Sequence, residues 1–385
     1  MGRLWTPAFI FTSLGSLFTF TSFYLLLPTL PLFIQELGGL ETHVGLSVGV
    51  FNITAVLIRP VAGLLLDRYG RRPFFLGGVA LFALCMYAYG WVGSLAALFV
   101  LRFVHGIGWA FGTTSATTTV ADVVPPARRG EGMGWYGLAM TLSMAVGPLL
   151  ATWTLAGWSY RGVFVLGTIL ALLALASVSL VRHPFRPAAE QRRLQLLEPA
   201  AFPVALCMLL LTFAYGAVTT FLPLLAVSLA ANPGTFFLVY ALALTAARPL
   251  AGKLSDRLGE ARIAVPAVSL AAAAMLVISA ATGVGGLILA AILYGIGFGS
   301  AHPTMQAALL RLVPRERFGV GSATFSTAFD LGIALGSTLL GWAADAWGYR
   351  WVFTLAAVSV GLSLAAFLAA VRPRLAPRRD RKSVV

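Results

Sequence analysis

The feature that most constrains this chain is the recurrence of long apolar runs separated by short polar clusters. A helix needs about 20 apolar residues to cross a bilayer core. Residues 163–181 (VFVLGTILALLALASVSLV) and 268–283 (VSLAAAAMLVISAATG) are representative. Neither alternates polar with apolar positions, as a barrel strand beside a wet lumen must. Backbone in lipid has to satisfy its own hydrogen bonds, so such runs form helices. Charged residues make up 10% of the chain, against about 25% in a soluble domain, too few to cover a wetted particle. The expectation is an all-α membrane protein of 12 transmembrane helices. The expected spans are 7–35, 43–66, 74–93, 96–121, 133–155, 162–181, 200–229, 235–255, 263–283, 287–312, 320–342 and 351–371.

A net charge of +14 raises the possibility of a nucleic-acid partner, and the placement of the charges argues against it. Of the 27 Lys and Arg, 22 fall in alternate loops and at the two ends, two (Arg161 and Arg350) fall in the other loops, and Arg59, Arg102 and Arg248 lie inside spans. That asymmetry marks the basic segments as cytoplasmic. It predicts a multi-pass protein of the cell (inner or plasma) membrane with both termini in the cytoplasm. The first run is read as a retained span rather than a removed signal. Cys85 and Cys207 sit within apolar runs and imply no disulfide framework.

The chain repeats itself. At a shift of 189 positions, Arg59-Pro60 falls on Arg248-Pro249, and Asp67-Arg68 falls on Asp256-Arg257. Gly106-Ile107-Gly108 falls on Gly295-Ile296-Gly297, and Tyr160-Arg161 on Tyr349-Arg350. No gap is needed across spans 2–6 and 8–12. A parallel six-span repeat is a transporter architecture, with the substrate site between the halves near the midplane. The expected organisation is a six-helix bundle over 1–181, a cytoplasmic linker over 182–199, a second bundle over 200–371 and a basic tail over 372–385.

The segment Gly63-Leu-Leu-Leu-Asp67-Arg68-Tyr-Gly70-Arg71-Arg72 resembles the loop between helices 2 and 3 that marks the major facilitator superfamily. The resemblance extends over nearly the whole chain. It implies two pseudo-symmetric six-helix bundles, and a charge relay of Asp67, Arg71 and Asp122 that latches them. Without the family, the same loop reads as a positive-inside turn with incidental pairing. Arg102, followed by Phe-Val-His105-Gly106, resembles the family's Arg-Gly motif in helix 4, which the family links to proton transfer. It also fits an Arg hydrogen-bonded to nearby carbonyls. Gly147-Pro148 matches the centre of the helix-5 motif of the drug:proton antiporter branch. Where that motif continues with a Gly pair, this chain has Ala151-Thr152.

An ionised side chain at mid-membrane costs about 2.5–3.5 kcal/mol on insertion scales, so each needs a partner or a use. Asp330 is the one acid deep within a span, and Arg59, Arg102 and Arg248 are its candidate partners. In this family helix 2 packs on helix 11, which makes Arg59–Asp330 the expected pair, either static or broken as the halves move. The family's cavity helices here carry Tyr24, His105, Trp109, Thr113, Tyr215, Thr219, Tyr294, His302 and Gln306. These would give an aromatic wall with hydroxyls and two imidazoles, suited to an amphipathic molecule. His105 reads either as a group titrating near neutral pH or as a hydrogen-bonded wall residue.

No phosphate loop, metal cluster or catalytic triad is present, so neither cofactor, metal nor enzyme activity is expected. The expected partners are a small-molecule substrate, protons and the lipid bilayer, with the chain a monomer. The reading is a proton-coupled exporter of small organic molecules such as drugs, siderophore-like metabolites or sugars. The alternative on the same fold is an uptake carrier or facilitator for a sugar or organic anion.

Overall fold

A computed structural model of the chain describes residues 4–125, 129–181, 197–314 and 318–375. Twelve long helices carry the fold. In chain order they are α1 (Pro7–Glu36), α2 (Glu41–Tyr69), α3 (Arg71–Ala88), α4 (Leu95–Val123), α5 (Arg129–Gly157), α6 (Tyr160–Ser179), α7 (Phe202–Ser228), α8 (Pro233–Leu258), α9 (Glu260–Ala280), α10 (Val284–Leu312), α11 (Phe318–Trp347) and α12 (Tyr349–Ala366). All twelve are long and apolar enough to cross a membrane. Among the described residues there is no strand.

The helices overrun the expected spans at the basic end. Helix α2 has 29 residues, about 44 Å at 1.5 Å per residue, against a hydrocarbon core of about 30 Å. The surplus carries the charged ends out of the apolar layer. Helix α12 continues through a π turn, Phe367–Val371, into Arg372–Leu375. The helix therefore runs four residues past the start of the expected tail. The described part of the linker is a short turn, Pro199–Ala201, capped by the Glu198 carboxylate.

Local sequence sets the ends. Thr6, Ser94 and Asn232 cap α1, α4 and α8 with side-chain oxygens. The α2–α3 and α8–α9 turns each contain one residue between helices, Gly70 at φ +93° and Gly259 at φ +88°. Only glycine takes such a φ without strain, so the repeat conserves the turn by conserving the residue.

Helices α1–α6 pack into one bundle and α7–α12 into a second, each through the same set of pairs: α1 on α5 and α6 matches α7 on α11 and α12, and α2 on α4 matches α8 on α10. Between the bundles, α2 packs along α11, α5 along α8, and α1 on α7. Small residues let α2 and α11 approach closely. A Cβ on Gly45 would strike the Ser337 carbonyl, and one on Gly49 the Thr338 hydroxyl. In lipid, where water drives no burial between helices, such backbone proximity supplies much of the packing. Large apolar side chains point outward in turn: Trp153 is 76% exposed, and Leu57, Leu84 and Leu242 are exposed too.

Candidate functional site: the face between the bundles

The contacts that join the bundles gather at the end opposite the basic loops. There the Asp345 carboxylate of α11 accepts from the backbone N–H of Glu41 (2.8 Å) and Thr42 (3.0 Å), and meets the Thr42 hydroxyl. An acid from one bundle thus caps the N-terminus of a helix in the other, where unpaired N–H groups and the helix dipole favour an anion. Beside it, the Tyr349 hydroxyl donates to Glu41 at 2.5 Å and the Gln35 amide donates to Glu41 at 2.8 Å. The sequence reading missed this clasp.

Halfway along the interface lie two cross-bundle contacts related by the 189-residue shift. Arg59 on α2 meets Asp330 on α11 at 3.1 Å. Arg248 on α8 donates to the Thr141 hydroxyl on α5 at 3.4 Å. Arg59 and Arg248 each lie 10 residues from their helix's basic end, about 15 Å along the axis. The pairs therefore sit at matching depth in the two halves. Breaking a buried ion pair by removing one partner leaves a stranded charge at about 3–5 kcal/mol. Arg59–Asp330 consequently ties α2 to α11 while both groups are ionised.

Toward the basic end the central helices stand open. Ile10 and Leu14 on α1, Thr117 on α4, and Gln306 and Leu310 on α10 are exposed. With the far end clasped, this conformation opens toward the basic loops.

Aromatic groups line both sides of the central face. In the first bundle, Trp109 stacks on Phe23 (4.3 Å between centroids) and meets Phe20 edge-on (5.2 Å). In the second, Tyr215 stacks on Phe298 at 5.0 Å, and Phe329 meets the His302 ring edge-on. Tyr24, Trp109, Thr113, Tyr215 and His302 are half-buried and Gln306 is exposed. The Thr113 and Thr219 hydroxyls donate to carbonyls of their own helices, those of Trp109 and Tyr215. Thr219 is itself buried.

Two residues expected on the wall lie behind it. His105 is fully buried among Phe51, Phe82 and Tyr89, with its Nδ1 3.0 Å from the Tyr89 hydroxyl. Tyr294, its counterpart in the repeat, is fully buried and stacked on Tyr240. Both sit one helical turn nearer the clasped end than Trp109 and Phe298, where neighbouring helices close over them. Arg102 is also interior, 3% exposed. Its Nε donates to the Ser47 carbonyl at 3.0 Å, and its guanidinium lies 4.3 Å from the Phe51 ring centroid. It is hydrogen-bonded within the first bundle and does not reach Asp330.

In the basic-end motif, Arg71 meets Asp122 at 2.7 Å, joining the start of α3 to the end of α4. Arg72 donates to the Ser179 carbonyl at the end of α6, and Arg68 lies over the Tyr69 ring. The side chain of Asp67 lies outside the described residues. A Cβ at Gly63 would meet nothing within 4 Å. Close helix contact does not account for a glycine there, because the basic end is open at that point. At Gly147 it does apply: a Cβ would fall 2.6 Å from the Tyr24 Cβ, so the helix-5 motif brings α5 onto α1. Pro148 follows inside the helix. The second bundle pairs Arg311 with Glu260 at 2.5 Å, a contact the sequence reading did not include.

The family model described as Major Facilitator Superfamily matches residues 12–235 and 204–384. The chain belongs to the major facilitator superfamily. It is 28% identical over 367 residues to the staphylopine export protein of Staphylococcus aureus, covering 90% of this chain and 91% of that one. It is 26% identical over 368 residues to the multi-drug resistance efflux pump PmrA of Streptococcus pneumoniae, covering 91% and 92%. Among solved structures, a POT family transporter in complex with a thioalcohol-conjugated peptide superposes with a TM-score of 0.83 at 14% identity, over 96% of each chain. The nucleoside transporter NupG superposes with a TM-score of 0.76 at 15% identity, over 94% of this chain and 98% of that one. These superpositions establish the fold. With its multidrug-efflux relatives, this superfamily chain is a multi-pass membrane transporter of small molecules and not an enzyme.

Proposed function

We propose that this chain is a secondary active transporter that exports small, amphipathic organic molecules by proton antiport through alternating access. The observation that carries the proposal is the Arg59–Asp330 pair, an ionisable acid inside the membrane whose partner belongs to the other bundle. The sequence relatives named as exporters support the direction. Orientation follows from the basic loops: they face the cytoplasm, as do both termini, and the open end of the present conformation is cytoplasmic. The membrane is the cell membrane, and the transporting unit is the monomer. The bundles run over 1–181 and 200–371, with 182–199 as the linker and 372–385 as the tail.

The cycle follows from the charges. With the cytoplasmic end open, Asp330 releases its proton inward and the carboxylate pairs with Arg59, holding α2 on α11. Substrate enters from the same side between the aromatic walls. When the bundles rock to the outward-open form, the Arg59–Asp330 contact is broken. Asp330 then takes a proton from outside, which removes the stranded charge, and substrate leaves. The return carries the proton in. The ion pair thus makes the deprotonated form favour one conformation and the protonated form the other, which is the differential interaction any coupling requires. Arg71 and Asp122, with Asp67, serve as the cytoplasmic latch.

Inverted membrane vesicles provide the test. Acidifying the lumen should drive accumulation of a fluorescent amphipathic dye, and an uncoupler should release it. Asp330→Asn should abolish gradient-driven accumulation. Near wild-type, proton-driven accumulation by Asp330→Asn would refute the assignment. Gradient-driven uptake into intact cells instead would establish the opposite direction.

A further inference from the structure

The repeat that places Arg59 opposite Asp330 places Arg248 opposite Thr141, because 59 and 248, and 141 and 330, are equivalent positions. One arginine therefore meets a carboxylate across the bundle interface and the other meets a neutral hydroxyl. The Thr141 contact is long, 3.4 Å, and Thr141 already donates its own proton to the Gly137 carbonyl at 3.1 Å. Among the described residues, no Asp or Glu lies within ion-pair distance of Arg248.

The surroundings of Arg248 offer donors and lack an acceptor of matching charge. Tyr24, Tyr215 and His302, from α1, α7 and α10, are half-buried on the central face, and Tyr240 lies two helical turns before Arg248 on α8. The hydroxyls of Tyr240 and its stacking partner Tyr294 are buried, with no hydrogen-bond partner among the described residues. A half-buried guanidinium near mid-membrane, with no carboxylate paired to it among the described residues, is complementary to an oxyanion. A planar fork of N–H groups binds a carboxylate through two parallel charge-assisted bonds.

We infer that Arg248 is the recognition site for a carboxylate on the transported molecule, the substrate supplying across the α5–α8 interface the acid that Asp330 supplies across α2–α11. The substrate class is an amphipathic organic carboxylate, with its charged end on Arg248 and its apolar body between the Trp109 and Tyr215–Phe298 walls. This rests on the transporter reading of the same face, and it depends on neither the direction of transport nor its energy source.

Equilibrium dialysis of the full chain in nanodiscs tests it without any gradient. The probes are 1-naphthylacetate, its neutral amide 1-naphthylacetamide, and the cation 1-naphthylmethylammonium. The wild type should bind the acid at least about tenfold more tightly than the amide, as charge-assisted pairing at a partly dry site implies. Arg248→Gln should lose the preference for the acid over the amide, and an unchanged thermal unfolding midpoint of the variant in nanodiscs serves as the folding control. Arg248→Lys should keep part of the preference, since a point charge remains without the fork. Thr141→Asp should also lose it, because a resident carboxylate then occupies Arg248. A wild type with no preference for the acid, a preference for the cation, or a preference that survives in Arg248→Gln would overturn the assignment. Failure of proton-driven dye accumulation in vesicles would remove the antiport proposal and leave this result standing.

Discussion

The two halves carry the same basic-end ion pair with its charges exchanged. In the first bundle, Arg71 begins α3 and Asp122 lies near the end of α4. At the equivalent positions in the second, Glu260 begins α9 and Arg311 lies near the end of α10. Helix N-termini favour anions and C-termini favour cations, each by about 0.3–1 kcal/mol when exposed. The second bundle obeys this at both ends, so dipoles and ion pair reinforce each other. The first disobeys it at both ends, and the dipoles oppose the pair. One clamp is built to stay shut and the other sits closer to release, which suits a latch in the first half alone.

The same contrast recurs mid-membrane. Arg59 has an acid and Arg248 has a threonine. Where the halves agree, as in the Gly70 and Gly259 turns, the shared residue builds the fold. Where they differ, as at Asp330 and Thr141, the two cross-bundle contacts differ in charge.

The largest expected effect comes from removing one partner of the mid-membrane pair. Asp330→Ala strands Arg59, whose side chain is 34% exposed, and should lower stability by about 2–3 kcal/mol, less than for a fully buried pair, read as a fall in the thermal unfolding midpoint. Asp330→Ala with Arg59→Ala should recover much of the loss. A double variant no more stable than the single would show that the residues are not energetically coupled, and the two mid-membrane contacts would then be equivalent.

Exchanging the basic-end polarity tests the dipole argument. Glu260→Arg with Arg311→Glu should destabilise the second bundle by about 1–2 kcal/mol, from four unfavourable end effects partly screened. The opposite exchange, Arg71→Glu with Asp122→Arg, should stabilise the first bundle and slow transport. Equal stability changes of the same sign in both halves would remove the distinction between clamp and latch.

A smaller effect is expected at the far-end clasp. Asp345→Ala removes a helix cap, worth about 1 kcal/mol, and should shift the population toward separation of the α2 and α11 ends. Distances between spin labels placed at those ends report the shift. An unchanged distance distribution would show that the close α2–α11 packing at Gly45 and Gly49 closes that end unaided. The smallest effect is expected at the open-side glycines. Gly63→Ala and Gly252→Ala meet nothing within 4 Å and should be neutral or stabilising by up to about 1 kcal/mol. A marked loss of transport with unchanged stability would place those glycines in a contact made only when the basic end closes.

Much of this molecule was legible along the chain. The apolar run lengths yield the twelve helices, the 189-residue shift yields the two bundles, and the helix-2/helix-11 expectation put Arg59 beside Asp330. The 189-residue shift carries the expected Arg71–Asp122 pair onto Glu260 and Arg311, so this pair too was within reach of the repeat. His105 and Tyr294 were read as wall residues because they lie on helices that line the family's cavity. A helix face carries no mark of the depth at which neighbours cover it.

What the sequence alone determined is the set of features a membrane imposes locally: helix number and length, the turns that need glycine, the internal symmetry, and the scarcity of intramembrane charge. These follow from backbone hydrogen bonding and transfer into lipid, which act residue by residue. What only the tertiary structure decided is which charges meet. Asp345 caps α2 from 304 residues away, and Arg248 reaches Thr141 and no acid among the described residues. Such pairings depend on the separation and rotation of two packed bundles, which no single run of residues records.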